Sequence, residues 1–164
     1  MTKTQYLADR LREVLLNGKW IANTNFKEQL LSITWEQAIT KVENLNTIAL
    51  LTFHINYYLK GLLNVFQGGK LDIRDQYSFD LPEIRSASDW TTLLNDFLTN
   101  AELFAQQVEQ MEESLLEQPF VDEKYGNYWR NIEGVIEHSY YHLGQVSLIR
   151  KMIVERIKMN DDIL

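Results

Sequence analysis

The sequence predicts an all-α protein, a four-helix bundle in which a long crossover loop joins the second and third helices. Glycine and proline are scarce, with 7 and 2 among 164 residues, and this scarcity favours long uninterrupted helices over a turn-rich fold. Four stretches repeat apolar residues every three or four positions, the spacing of a helix with one buried face. The length is typical of one domain, so residues 1–164 are assigned to a single helical bundle domain.

The first helix is predicted over residues 4–16, where leucine and valine recur at helical spacing and Gly18 supplies a stop signal. A less regular connection is expected to follow over residues 19–31. Trp20 and Ile21 in this connection are large and apolar, so we expect them to pack against the core instead of facing water.

The second helix is predicted to begin at a capping box formed by Thr34 and Gln37. Helical spacing continues from there to about Phe66, with an expected break near residues 42–45. Residues 70–87 follow without a sustained period, and unstructured connections of this length often cover a functional site. The apolar content of this loop predicts an ordered cover rather than a flexible linker.

The third helix is predicted to start at Ser88 and to carry apolar residues at alternating spacings of four and three as far as Leu115. This seam is typical of a helix in a bundle, and Pro119 is expected to close it. The fourth helix is predicted over residues 128–157, after a short loop.

Composition excludes several classes of protein. A net charge of −7 and a pI near 5.0 argue against a nucleic-acid partner, which usually meets a basic surface. The chain has no cysteine, which removes both disulfides and thiolate metal ligands. The first residues lack a signal-peptide core, and no run of about 18 apolar residues occurs, so we expect a cytoplasmic protein without a membrane partner.

The three histidines stand at positions that suggest a metal site. His138 and His142 are four residues apart in the fourth helix, so their side chains share one face and can converge on one ion. His54 lies at the margin of the apolar face of the second helix. Three imidazoles form the ligand set of a catalytic-type zinc site and suit nickel, iron or copper equally. For each histidine alone, a hydrogen-bonded structural role is the alternative.

Two familiar metal-site templates do not fit the sequence. A zincin needs glutamate directly after the first histidine of the pair as its general base, and Ser139 stands there instead. A di-iron bundle needs glutamate three residues before a histidine on two helices, and no histidine of this chain has one. The usual peptidase and oxygen-activating mechanisms are therefore not expected.

Other polar side chains are candidates for supporting roles near the histidines. Tyrosines there could donate hydrogen bonds or act as acid or base, and amides could orient a ligand. These candidates are Tyr57, Tyr58, Tyr141, Asn131 and Gln145. The alternative for each is an ordinary packed side chain with a solvated polar end. Glu133 and Glu137 are interpreted as charges on the helix surface.

Two motifs carry a family resemblance. They are His54-Ile55-Asn56-Tyr57-Tyr58 in the second helix and the run from Tyr125-Gly126-Asn127-Tyr128-Trp129-Arg130-Asn131-Ile132-Glu133 into Glu137-His138-Ser139-Tyr140-Tyr141-His142-Leu143-Gly144-Gln145. In these motifs, and over nearly the whole chain, the sequence resembles an uncharacterised branch of the DinB/YfiT-like proteins, which are four-helix bundles. In that family a histidine of the second helix and a His-x-x-x-His pair of the last helix bind nickel or zinc. The matching positions are His54, His138 and His142.

The resemblance implies a metal-dependent enzyme. Relatives with an assigned reaction are transferases or isomerases that use low-molecular-weight thiols such as bacillithiol or mycothiol, with the metal holding the thiol as thiolate. We therefore expect a thiol transferase that acts on a small electrophile, with no catalytic residue assigned. Family members are often dimers, which predicts a homodimer. The alternatives are a metal-dependent hydrolase and a non-catalytic bundle that binds a metal or a small ligand.

Overall fold

In a computed structural model, the backbone is described for residues 1–161 and the side chains for residues 1–157. This part of the chain contains α-helices and no β-strand, which confirms the all-α prediction. Its helices are α1 (Lys3–Leu15), α2 (Phe26–Leu31), α3 (Trp35–Ile39), α4 (Ile48–Phe66), α5 (Ala87–Glu109) and α6 (Tyr128–Asp161). None of the helices within the described residues has the length and apolarity needed to cross a membrane.

The first five helices each begin at a side chain that accepts a hydrogen bond from a free backbone amide. These capping residues are Thr2, Asn25, Thr34, Thr47 and Ser86. At the start of α3, Oε1 of Gln37 accepts a hydrogen bond from the backbone amide of Thr34 at 3.0 Å. The predicted capping box is therefore confirmed. Polar side chains at fixed positions thus set where the helices start.

The four longest helices surround one cluster of buried apolar side chains. Helices α5 and α6 each pack against both α1 and α4. The largest fully buried side chains of this core are Phe26, Phe97, Phe104 and Phe120. Burying a phenylalanine contributes about 1.5–3 kcal/mol, so the four rings are a major source of stability. The contact between α4 and α6 is the one that places the histidines together.

Part of the predicted connection over residues 19–31 is helical, which corrects the sequence prediction. Asn25 accepts a hydrogen bond from the backbone amide of Glu28 at 2.9 Å and starts α2. Phe26 and Leu30, four residues apart, are fully buried on one face of this helix. The helix is short and carries a single pair of buried apolar residues, too few for a recognisable period.

Trp20 and Ile21 do not pack in the core, and the prediction that they would is wrong. Their exposed fractions are 73% and 65%. Phe26 anchors this part of the chain to the core instead, so the preceding residues remain on the surface. The Tyr140 hydroxyl donates a hydrogen bond to the backbone carbonyl of Trp20 at 2.9 Å, which fixes the segment against α6.

Two other helix limits refine the prediction. The break expected near residues 42–45 is confirmed and extends from the end of α3 to the start of α4. Helix α5 ends at Glu109, well before the predicted limit at Leu115, and a 3₁₀ helix over Glu113–Glu117 follows. Glutamates cluster at this end and no basic residue lies in the last turn, so the helix dipole opposes further extension.

The long connection between α4 and α5 is folded back onto α4, as predicted for an ordered cover. A Cβ atom at Gly61 would lie 2.5 Å from Cγ1 of Ile73, so a glycine in α4 is required for this close approach. The Tyr57 hydroxyl accepts from the amide of Arg74 at 2.9 Å and donates to its carbonyl at 3.1 Å. These contacts place the 3₁₀ turn Asp75–Tyr77 beside the histidines.

Candidate metal centre

The three histidines predicted to bind metal converge in the structure. His54 extends from α4, and His138 and His142 extend from successive turns of α6. Nε2 of His138 lies 3.2 Å from Nε2 of His54 and 2.9 Å from Nε2 of His142. Two nitrogens bound to one ion at roughly 2.05 Å lie about 2.9 Å apart at a right angle and about 3.3 Å apart at a tetrahedral angle. The observed distances fit a shared ion.

The centre lies at the boundary between the core and an open cleft. His54 and His142 are each only 6% exposed, whereas His138 is partly buried and lines the cleft. The ring of Phe79, from the long loop, stacks on His54 with centroids 4.1 Å apart. Burial on the core side holds the rings in place, and the cleft on the other side leaves a route to the centre.

Hydrogen bonds at the outer nitrogens fix the tautomers of two histidines. Nδ1 of His54 faces the backbone carbonyl of Ser78 at 3.2 Å, and Nδ1 of His142 faces Oε1 of Gln145 at 2.7 Å. Both partners are oxygen acceptors, so each Nδ1 carries the hydrogen and each Nε2 carries a lone pair. This is the arrangement in which metal-binding histidines are usually held.

The convergent nitrogens have too few hydrogens to satisfy one another. The lone pairs on Nε2 of His54 and His142 both face Nε2 of His138, which in a neutral ring carries at most one hydrogen. At least one pair of nitrogens therefore meets without a hydrogen between them. A metal cation would satisfy all three lone pairs, so the donors present fit such an ion.

Burial keeps all three imidazoles in the neutral form that binds metal. Loss of solvation is the main cause that lowers the pKa of His138 to about 4, and the nearby His142 and His54 rings contribute in the same direction. Burial is also the main cause that lowers the pKa of His54 and of His142. At neutral pH a cation therefore does not have to displace protons from these rings.

Among the predicted supporting residues, Gln145 acts directly on a histidine through the hydrogen bond already described. Tyr58 flanks the centre with its ring edge, 5.1 Å from the His54 ring and 5.3 Å from the His138 ring between centroids. Its hydroxyl donates to Oδ1 of Asp75 at 2.9 Å instead of to a histidine. Burial raises the pKa of Tyr58, and the bond to Asp75 raises it further.

The remaining candidates do not contact the convergent nitrogens. Tyr141 is 64% exposed, although its ring centroid lies 4.9 Å from that of His142. Tyr57 fixes the long loop, as described above. Asn131 donates to the backbone carbonyls of Tyr125 and Asn127 at 2.9 and 2.8 Å, which stabilises the start of α6. The hydrogen bonds of Tyr57 and Asn131 therefore stabilise the long loop and the start of α6.

Sequence analysis did not identify the residues of the long loop that complete the surroundings of the centre. Ser78 contributes a backbone carbonyl, Phe79 a stacked ring and Asp75 a carboxylate. The absence of a helical period marked the segment as a cover. The sequence does not reveal its individual contacts. Any residue type can offer a backbone carbonyl, and the contacts of Phe79 and Asp75 join residues that are far apart in the chain.

A cleft of about 620 Å³ opens beside His138. Its apolar wall comes from Leu62, Leu71, Ile73, Phe120 and Val135. Its charged side chains are Asp75, Arg130, Glu133 and Glu137. The two glutamates interpreted as helix-surface charges thus also line the approach to the histidines. A small molecule in this cleft would contact a ligand residue of the centre directly.

No protein-family model matches the chain, and searches of curated proteins and of solved structures find no similar protein. The three imidazole nitrogens could hold a metal ion. Structural zinc sites usually have four protein ligands, whereas catalytic ones have three and leave a position for water or substrate. Three histidines beside a cleft correspond to the second arrangement. The position after His138 holds Ser139, which is buried and offers no carboxylate base.

Proposed function

We propose that this protein is a metal-dependent enzyme in which His54, His138 and His142 hold one nickel or zinc ion. The observation that carries the proposal is the convergence of three neutral imidazole nitrogens beside an open cleft. The four long helices are proposed to be those of a DinB/YfiT-like bundle, and that resemblance supports the choice of nickel or zinc. It also supports a homodimer.

We further propose that the reaction transfers a low-molecular-weight thiol to an electrophilic carbon of a second small molecule. The chain has no cysteine, so the nucleophilic sulfur has to come from a bound thiol. A bound divalent ion supplies Lewis acidity, which lowers the pKa of a thiol at an open position. The thiol proton goes to solvent or to a cleft carboxylate. The sulfur then forms the new bond to carbon while the bond between that carbon and its leaving group breaks, and the leaving group departs with that electron pair as an anion.

A metal-dependent hydrolase is the second candidate. The carboxylates of Asp75 and Glu137 line the cleft, and either could accept a proton from a water molecule that attacks a substrate. The same three histidines would hold the metal in both reactions. A non-catalytic bundle that binds metal is the third candidate, and it predicts metal binding without turnover.

Thiol consumption distinguishes these functions. Protein purified without a histidine tag is loaded with nickel or zinc and mixed with a thiol and monochlorobimane, whose conjugate is fluorescent. We expect conjugation above the uncatalysed rate, with loss of that excess after chelation and recovery on adding metal. Equal rates with and without metal would exclude the transferase proposal, and hydrolysis of ester or amide probes by the loaded protein would favour the second candidate.

A further inference from the structure

The cleft beside His138 carries an excess of negative charge. Three carboxylates line it, those of Asp75, Glu133 and Glu137, against the single guanidinium of Arg130. Glu133 and Glu137 are four residues apart on α6, so their side chains extend from one face of the helix. Glu137 is also the neighbour of a proposed metal ligand in the chain.

These charges are available to a ligand. Among the described side chains, no lysine, arginine or histidine nitrogen lies within 4.0 Å of the carboxylate of Glu133 or Glu137. Asp75 accepts the hydroxyl hydrogen of Tyr58, which leaves its negative charge uncancelled. The carboxylates therefore attract a cationic group that enters the cleft and repel an anionic one.

A glycine keeps the space beside the histidine open. Gly134 lines the cleft four residues before His138, so both lie on the same face of α6. A Cβ atom built at Gly134 would meet no atom within 4 Å. Glycine is a poor residue for a helix interior, and no packing contact within 4 Å requires it here.

We propose that the cleft binds a small aminothiol, with its sulfur towards the three histidines and its ammonium group towards Glu133 and Glu137. This inference rests on the proposed thiol-dependent function and names the charge class of its thiol. An aminothiol with a short apolar spacer places one positive charge beside the carboxylates. A thiol of similar length that ends in a carboxylate would place like charges together, which is unfavourable.

Cobalt-loaded protein provides a direct test, because thiol sulfur bound to cobalt gives a near-ultraviolet absorption band. Wild-type protein and the double variant Glu133→Gln, Glu137→Gln are each titrated with cysteamine and with 3-mercaptopropionate at low salt. The ratio of the two dissociation constants is compared between the proteins, since that comparison cancels the different intrinsic affinities of the thiols for the metal. The cobalt ligand-field spectrum verifies that both proteins keep the centre.

We expect the double substitution to reduce the preference for cysteamine by about fivefold, since an exposed ion pair contributes up to about fivefold in affinity. The matched control Glu112→Gln, Glu155→Gln removes two exposed glutamates that do not line the cleft and should leave the ratio unchanged. Gly134→Leu should weaken the binding of both thiols, because the leucine side chain fills the cleft. The same substitution at Gly144, which does not line the cleft, should leave thiol binding unchanged.

Two results would overturn the inference, and they are distinct. A ratio that is the same in wild type and in the Glu133, Glu137 variant would show that the carboxylates do not select the thiol, while leaving thiol binding itself intact. The absence of a sulfur band with either thiol in wild-type protein would overturn the proposed thiol-dependent function as well.

Discussion

Two of the polar clusters that join helices in the described residues differ in one respect, since the first is complete and the second is incomplete. Arg12 of α1 contacts Glu102 and Glu109 of α5 at 3.3 and 2.8 Å, and the hydrogen bond to Glu109 raises the pKa of Arg12. Each charge in this cluster has an opposite charge beside it. The three histidines between α4 and α6 bring neutral Nε2 atoms together, and at least one pair of these atoms has no hydrogen between them. The first cluster stabilises the fold by itself, whereas the second could hold a cation.

Replacing one residue in each cluster should separate an effect on metal binding from an effect on stability. The effect on metal binding should be the larger of the two. We expect His142→Ala to lower metal affinity by more than about 100-fold, because it removes a ligand that no neighbour replaces. Arg12→Gln should leave metal content near one ion per chain and reduce the free energy of unfolding by about 1 kcal/mol. Elemental analysis and urea denaturation measure the two effects. Unchanged metal content in His142→Ala would refute the assignment.

A smaller effect on metal affinity is expected at the residue that orients His142. Gln145→Leu keeps the approximate size of the side chain but removes the oxygen that accepts the hydrogen of Nδ1. Loss of such a partner should weaken metal binding by about 10- to 100-fold. Gln106→Leu on exposed α5 surface is the matched control and should bind metal like the wild type. Equal affinities in the two variants would show that Gln145 does not orient the ring.

The incomplete cluster should also make the metal-free protein sensitive to acid. The pKa of His138 falls from 6.5 to about 4 on folding, so the unfolded chain binds more protons between these values. The free energy of unfolding should therefore decrease as the pH falls from 6.5 towards 4, lowering the melting temperature by several degrees. His138→Gln should reduce this dependence on pH. A melting temperature of the metal-free wild type that stays constant across the interval would contradict the expectation.

The sequence was sufficient to predict the all-α class of the fold and the convergence of the three histidines. Helical spacing and capping residues such as Thr34 act over a few positions, so they are visible without tertiary structure. The spacing of His138 and His142 is likewise local. The bundle family, the number of domains and the thiol reaction stay predictions.

What the sequence did not predict depends on contacts between distant parts of the chain. The exposure of Trp20 follows from Phe26 taking the core position. The stacking of Phe79 on His54 joins residues of a loop and a helix without any local pattern. Which residue occupies a given position in the core or beside the histidines depends on tertiary packing, which a local sequence pattern does not show.

The carbonyl of Ser78 ties the ordering of the long loop to the occupancy of the centre. A cation on Nε2 of His54 withdraws electrons from the ring and makes the hydrogen on Nδ1 a stronger donor to that carbonyl. By thermodynamic linkage, any free energy that metal binding adds to this bond also stabilises the loop in its observed position. Backbone amides near Ser78 should then exchange their hydrogens more slowly as metal is added, so hydrogen exchange in the loop would report on metal binding at the histidines.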